Sequence, residues 1–270
     1  MESHGWYRLA PFRWDRDEGL LRRREVLGGR SRELEIRCDG QSLIVNRPLT
    51  GQLRARLIRM FQLDVDLGDF FTMARQSIAH QWVEASGFGR LLCGATLFED
   101  IVKIIATTNV NWSQTVRMID LLVETCGSSG AFPDPEEVVQ FSPDELQERC
   151  RFGYRAKSIH ALARGIVEGA IDLGAIAHAR QTTEELFASY ESLPGIGPYG
   201  AAHLLAMDGR HDFIAVDTEF RRFVRERYHG GRKVADATML RRYAKWGRWK
   251  YLAYWSELWR VGPGGQGPRP

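Results

Sequence analysis

Cysteine is scarce in this chain. Four stand in 270 residues, at positions 38, 93, 126 and 150. No CxxC or Cys/His spacing typical of a zinc site or an iron–sulfur cluster occurs. The thiols are expected to be buried or half-buried in a reducing compartment. Long hydrophobic runs are also missing, since none approaches the ~20 residues of a membrane span. The first residues, MESHGWYRLAPF, lack the basic and apolar regions of a signal peptide. These absences point away from a membrane and toward a cytoplasmic, nucleoid-associated protein. An excess of one charge is lacking too. The net charge of +3 is weak support for a polyanionic partner. There is no repeat of solenoid period and no low-complexity block.

What is present is a chain long enough for a sizeable core. In LEIRCDGQSLIVNRPLT apolar residues alternate around Asp39-Gly40, at Leu34, Ile36 and Cys38 and then at Leu43 and Val45. That is a hairpin pattern. After about residue 50 the signals turn helical. Thr96 with Glu99, Asp134 with Glu137, Ser142 with Glu145 and Thr182 with Glu185 each pair an N-cap oxygen with a carboxylate three residues on. Proline follows the cap in two of them. Phe98, Ile101, Val102 and Ile105 repeat at helical spacing. The expected fold is mostly α with a small N-terminal antiparallel β-sheet domain (α+β). The boundaries are a sheet-containing part over 1–50, a helical body over 51–260 and a flexible tail over 261–270. Basic residues crowd between Phe220 and Arg260, with four tryptophans among them. Such a stretch suits a nucleic-acid face or, equally, a solvated helical surface.

The stretch LPGIGPYGAAHLL, Leu193 to Leu205, runs from a glycine-punctuated turn into an apolar helix. Pro198 is suited to the first helical position. A helix start offers unsatisfied N–H groups and the positive end of a dipole, and glycine permits close approach, so the turn suits a phosphate. A hairpin packed for stability alone is the plainer alternative. Twenty residues after Gly197 an apolar run delivers Asp217 just before the basic segment TEFRRF. Together LPGIGPYGAA and VDTEFRRF resemble the helix-hairpin-helix (HhH-GPD) DNA glycosylase superfamily. Segments 57–71, 95–127, 152–166 and 240–259 look like successive helices of its 3-methyladenine glycosylase II and 8-oxoguanine branches.

The resemblance implies a DNA glycosylase that hydrolyses the N-glycosidic bond of a flipped damaged or modified base in double-stranded DNA. It implies a catalytic role for Asp217, which also reads as an N-cap. Some relatives carry a lysine two residues after the last loop glycine. Here that residue is Tyr199, and a phenol forms no Schiff base. The departure implies a monofunctional enzyme that leaves an abasic site. A bifunctional glycosylase/lyase using another amine and a non-catalytic DNA-binding protein are the alternatives. Tyr199, Trp249 and Trp112 are the implied base-pocket aromatics, with core packing as the alternative for the first two. Gly195, Gly197, Pro198, Gly200, Asn109 and Asn111 are the implied DNA contacts, and Asn109 aligns best with a residue that plugs the gap left by the base. Turn chemistry is the other reading of the two asparagines. No cofactor is required. The backbone carbonyls of Glu191, Leu193 and Ile196 match a Na+ or K+ site. An iron–sulfur cluster is not expected, because no cysteine follows Cys150. A monomer is expected.

Overall fold

The computed structural model describes residues 2–178 and 180–261. The tail expected over 261–270 lies, beyond Val261, outside them. Four strands form an antiparallel meander in chain order: β1 (Arg13–Asp15), β2 (Leu20–Leu27), β3 (Arg30–Cys38) and β4 (Leu43–Val45). The β3–β4 turn is held by Asp39, whose Oδ1 accepts the N–H groups of Gln41 (2.9 Å) and Ser42 (2.7 Å). Leu34 and Ile36 are fully buried. Cys38, expected to be at least half-buried, is exposed. It pairs with Leu43 at the end of the ladder, two residues past the last buried position of its strand. β2 escapes a pattern search because Arg23 and Glu25 occupy buried positions that a strand normally fills with apolar residues.

In chain order the longer helices are α1 (Gly51–Phe61), α2 (Gly68–Arg75), α3 (Leu97–Thr107), α4 (Trp112–Cys126) and α5 (Pro143–Cys150). They continue with α6 (Arg155–Val167), α7 (Thr183–Glu191), α8 (Pro198–Met207), α9 (Thr218–His229) and α10 (Lys250–Val261). All four predicted caps form: Thr96, Asp134, Ser142 and Thr182 accept N–H groups from residues three further on. Asn111 adds a reciprocal cap with Gln114 at the start of α4.

The chain packs as two units. The first comprises Met1–Leu63, Leu92–Arg180 and the loop Ser192–Ile196; the second comprises Asp64–Leu91, Gln181–Glu191 and the chain from Gly197 on. The sheet therefore groups with α1 and α3 to α6, and the helical body is shared between the units. In the first unit a charged cluster is buried. Glu99 on α3 receives Arg23 of β2 (2.9 Å), Lys103 (2.6 Å) and the Ala95 N–H (2.9 Å). Burial alone raises a carboxyl's pKa, but Arg23 and Lys103 outweigh it and carry Glu99 down to about 2. Its neighbour Asp100 accepts the Trp6 indole N–H (2.9 Å) and the Arg59 guanidinium (2.6 Å). In the second unit Phe70, Trp246, Trp249 and His80 form an aromatic core. Beside it Tyr228 and Tyr243 both donate to Glu257, at 2.7 and 2.9 Å.

Candidate active site

Asp217 stands where the sequence sets it, as N-cap of α9, with Oδ1 accepting the Phe220 N–H at 2.7 Å. The carboxylate is part-buried, and no cation pairs with it among the described residues. Burial pushes its pKa above the ordinary value, and Glu219 adds to the rise, although the Phe220 N–H opposes it. The carboxylate is thus fixed at one oxygen and made more basic than a free aspartate. Asp217 and Tyr199 both act electrostatically on the buried phenol of Tyr254 on α10, raising its pKa together with burial. The acid and the candidate pocket tyrosine thus both bear on one phenol of the second unit.

The hairpin forms as its residues dictate. α7 ends at Glu191, Leu193 and Ile196 close the turn through an Ile196 N–H to Leu193 carbonyl bond of 3.1 Å, and Pro198 opens α8. The two loop glycines serve different ends. Gly195 sits at φ +81°, and a Cβ there would lie 2.6 Å from Ser158. Gly197 has ordinary backbone angles and open space around it. The first glycine is demanded by the fold of the loop, whereas the second leaves a clear approach to the N-terminus of α8. Gly200 is buried in α8. Its neighbour Tyr199 is part-exposed, with its ring 5.1 Å from that of His203 one turn on.

Trp249 is only 5% exposed. Phe70 and His211 contact its ring at 5.7 and 5.6 Å, and the Arg248 guanidinium lies over it at 4.6 Å. It belongs more to the core than to an open pocket wall. The basic stretch is likewise partly spent inside the unit. Arg221 pairs with Asp236, Arg222 with Glu219 and Glu226, and Arg248 with Asp69.

The other predicted contacts lie in the first unit. Asn109 is exposed at φ +50°, and its amide donates to the Tyr154 phenol oxygen at 3.0 Å. That bond holds the phenol below its usual pKa. Tyr154 is 61% exposed, with the Arg155 guanidinium 4.6 Å from its ring. Arg155 is itself buried and donates from Nε to the Thr108 carbonyl at 3.0 Å, so it braces the turn that presents Asn109. Tyr154 was not singled out from sequence, although it stands in segment 152–166, which carries part of the resemblance. The Asn111 side chain is engaged in its cap, accepting from Gln114 N–H (2.9 Å) and Ser113 Oγ (2.7 Å). The Trp112 ring packs against Gly5, where any side chain would collide with it.

A model of the HhH-GPD superfamily of base excision DNA repair proteins matches residues 102–248, just over half the chain. The chain belongs to this superfamily. The HhH-GPD match takes in the asparagine turn, the hairpin and Asp217. A probable N-glycosylase/DNA lyase of Methanothermobacter thermautotrophicus is 26% identical over 262 residues, which cover 84% of this chain and 81% of the relative. The 3-methyladenine DNA glycosylase from Archaeoglobus fulgidus has a similar structure, with a TM-score of 0.75 at 21% identity over 96% of this chain and 93% of that one. The 8-oxoguanine glycosylase/lyase of Clostridium acetobutylicum in its apo form gives 0.74 at 16% identity, over 96% and 93%. At these identities the structural likeness is one of fold. The HhH-GPD glycosylase architecture, a helical body with a four-stranded N-terminal sheet, is the one expected from the sequence.

Proposed function

We propose that the protein is a monofunctional DNA glycosylase that uses Asp217 and water to release a modified base and leave an abasic site. The observation that carries this reading is the part-buried Asp217 carboxylate, anchored at one oxygen and in no salt bridge among the described residues. As the base departs, positive charge develops on the sugar. A fixed carboxylate in a partly desolvated setting stabilises that charge more strongly than water does. Its raised pKa also suits it to accept the proton of the attacking water. The water oxygen bonds to the sugar carbon, the C–N bond breaks, and the electron pair leaves with the base. Tyr199 stands where a Schiff-base lysine would stand and supplies no amine.

The N-terminus of α8 and the open space at Gly197 suit a backbone phosphate. The exposed pair Asn109–Tyr154 offers an amide and an aromatic face to an opened duplex. Uncharged oxygens such as the carbonyls of Glu191, Leu193 and Ile196 suit Na+ or K+ rather than a transition metal. Such an ion would help hold the hairpin against the phosphate.

The test is base release from end-labelled duplexes that each carry one alkylated, oxidised, deaminated or hypermodified base. The expected result is strand cleavage only after hot alkali, no covalent adduct on borohydride treatment, and no release by Asp217→Asn. Cleavage without alkali together with a trapped adduct would replace this reading by a glycosylase/lyase. DNA bound with no base released would point to a non-catalytic binding protein.

A further inference from the structure

α8 is almost wholly enclosed. Gly200, Ala201, Ala202 and Leu204 through Met207 are buried, which leaves Pro198 exposed and Tyr199 and His203 part-exposed. Tyr199 and His203 are one turn apart and therefore share a face. Their rings lie 5.1 Å apart at 42°. His203 Nδ1 is buried without a hydrogen-bond partner. The ring is held with Nδ1 inward, and its other nitrogen, Nε2, is not among the buried unpartnered atoms of the described residues, so it is the edge that a ligand can meet with a complementary group. Trp249 offers no comparable opening, because Arg248, His211 and Phe70 already surround its ring. The cation over that ring also opposes a second, positively charged partner there.

We propose that His203 is the specificity-determining residue of the excision site, reading by hydrogen bond the edge of a neutral base that stacks on Tyr199. This rests on the glycosylase reading above. Burial holds the imidazole neutral, with its pKa lowered to about 4, so at neutral pH it carries one N–H and one lone pair. A base with a carbonyl or a ring N–H at its edge can pair with Nε2, as N–H or lone pair according to the tautomer. A cationic methylated base, which is drawn by charge to a bare aromatic face, meets no anion on this stripe.

The experiment measures kcat/KM for the wild type, His203→Phe and His203→Gln. Each is assayed on duplexes carrying a neutral carbonyl-bearing base or a cationic methylated base. Binding to a duplex with a stable abasic analogue is measured alongside. Wild type should favour the neutral base. His203→Phe should lose at least about tenfold on it, with unchanged affinity for the abasic analogue. His203→Gln, which restores a donor and an acceptor, should recover most of the loss. His203→Leu replaces the Phe variant if that one melts early. Equal kcat/KM in wild type and His203→Phe, or a wild-type preference for the cationic base, would overturn the proposal and leave the glycosylase reading standing. Wild type that binds every duplex and releases nothing would overturn both.

Discussion

Asp217 has two jobs in one side chain, and a well-chosen substitution separates them. Its Oδ1 caps α9, and its negative charge is the proposed catalytic element. Asparagine caps as well as aspartate does, whereas alanine loses about 1 kcal/mol of cap. Asp217→Asn should therefore fold normally while excision falls by about 10²-fold or more. The pKa shift adds a sign. A carboxyl whose folded value stands above its unfolded one binds its proton more tightly when folded, so stability declines as pH rises through the folded value. Removing the charge should leave the melting temperature at neutral pH equal to or above that of the wild type. The acid limb of the wild-type rate profile should fall off above the ordinary aspartate range. An Asp217→Asn enzyme that still turns over, or a wild-type profile flat through that limb, would dismiss the carboxylate from the chemistry. The position of Asp217 was legible from its motif. That it forms no salt bridge among the described residues was not, because Arg221 and Arg222 lie close in sequence and only the fold commits them to Asp236, Glu219 and Glu226.

The helix-hairpin-helix was the most legible element, since its determinants are local. A proline at the first helical position, glycines in the turn and a cap box at Thr182 act over three or four residues. What sequence left undivided is the labour of the two glycines. Gly195→Ala combines a positive φ with a Cβ 2.6 Å from Ser158, so it should cost about 1–3 kcal/mol in urea unfolding. A Cβ at Gly197 meets nothing within 4 Å, so Gly197→Phe should melt like the wild type. It should nevertheless weaken DNA binding roughly tenfold and evenly across sequences, because a phosphate contact carries no base information. Fluorescence anisotropy on unrelated duplexes checks this. Undiminished affinity in Gly197→Phe would remove the hairpin as a phosphate clamp. The asparagine turn shows the opposite case. Asn109 and Asn111 look alike in sequence and both are exposed, yet the Asn111 side chain is engaged in its cap while Asn109 stands at a positive φ with its amide on Tyr154.

At the scale of the whole molecule, charge is distributed by burial rather than by count. A net charge of +3 describes the chain poorly. Arg23, Glu25, Glu99, Asp100 and Lys103 lie in the interior of the first unit, and several arginines of the basic stretch are paired within the second. Glu99 looks from its spacing like a surface capping-box carboxylate. The structure instead turns it inward to join β2 to α3. Glu99→Gln would leave Arg23 and Lys103 buried without that counter-charge, and should cost about 3–5 kcal/mol in chemical denaturation. A variant as stable as the wild type would show that Glu25 and solvent suffice for both cations.

The residues alone determined the helical class, the cap positions, the hairpin and the place of the catalytic candidate, because each depends on hydrogen bonds and steric limits within a few residues. Only the tertiary structure decided which groups lose water. It enclosed Trp249, took Glu99 from a helix surface into the core, left Asp217 out of any salt bridge among the described residues, and set His203 beside Tyr199 on the one part-exposed stripe of α8. Burial is a sum over contacts made by residues far apart in the chain, and it is burial that sets the pKa, the cost and hence the chemistry of a polar side chain.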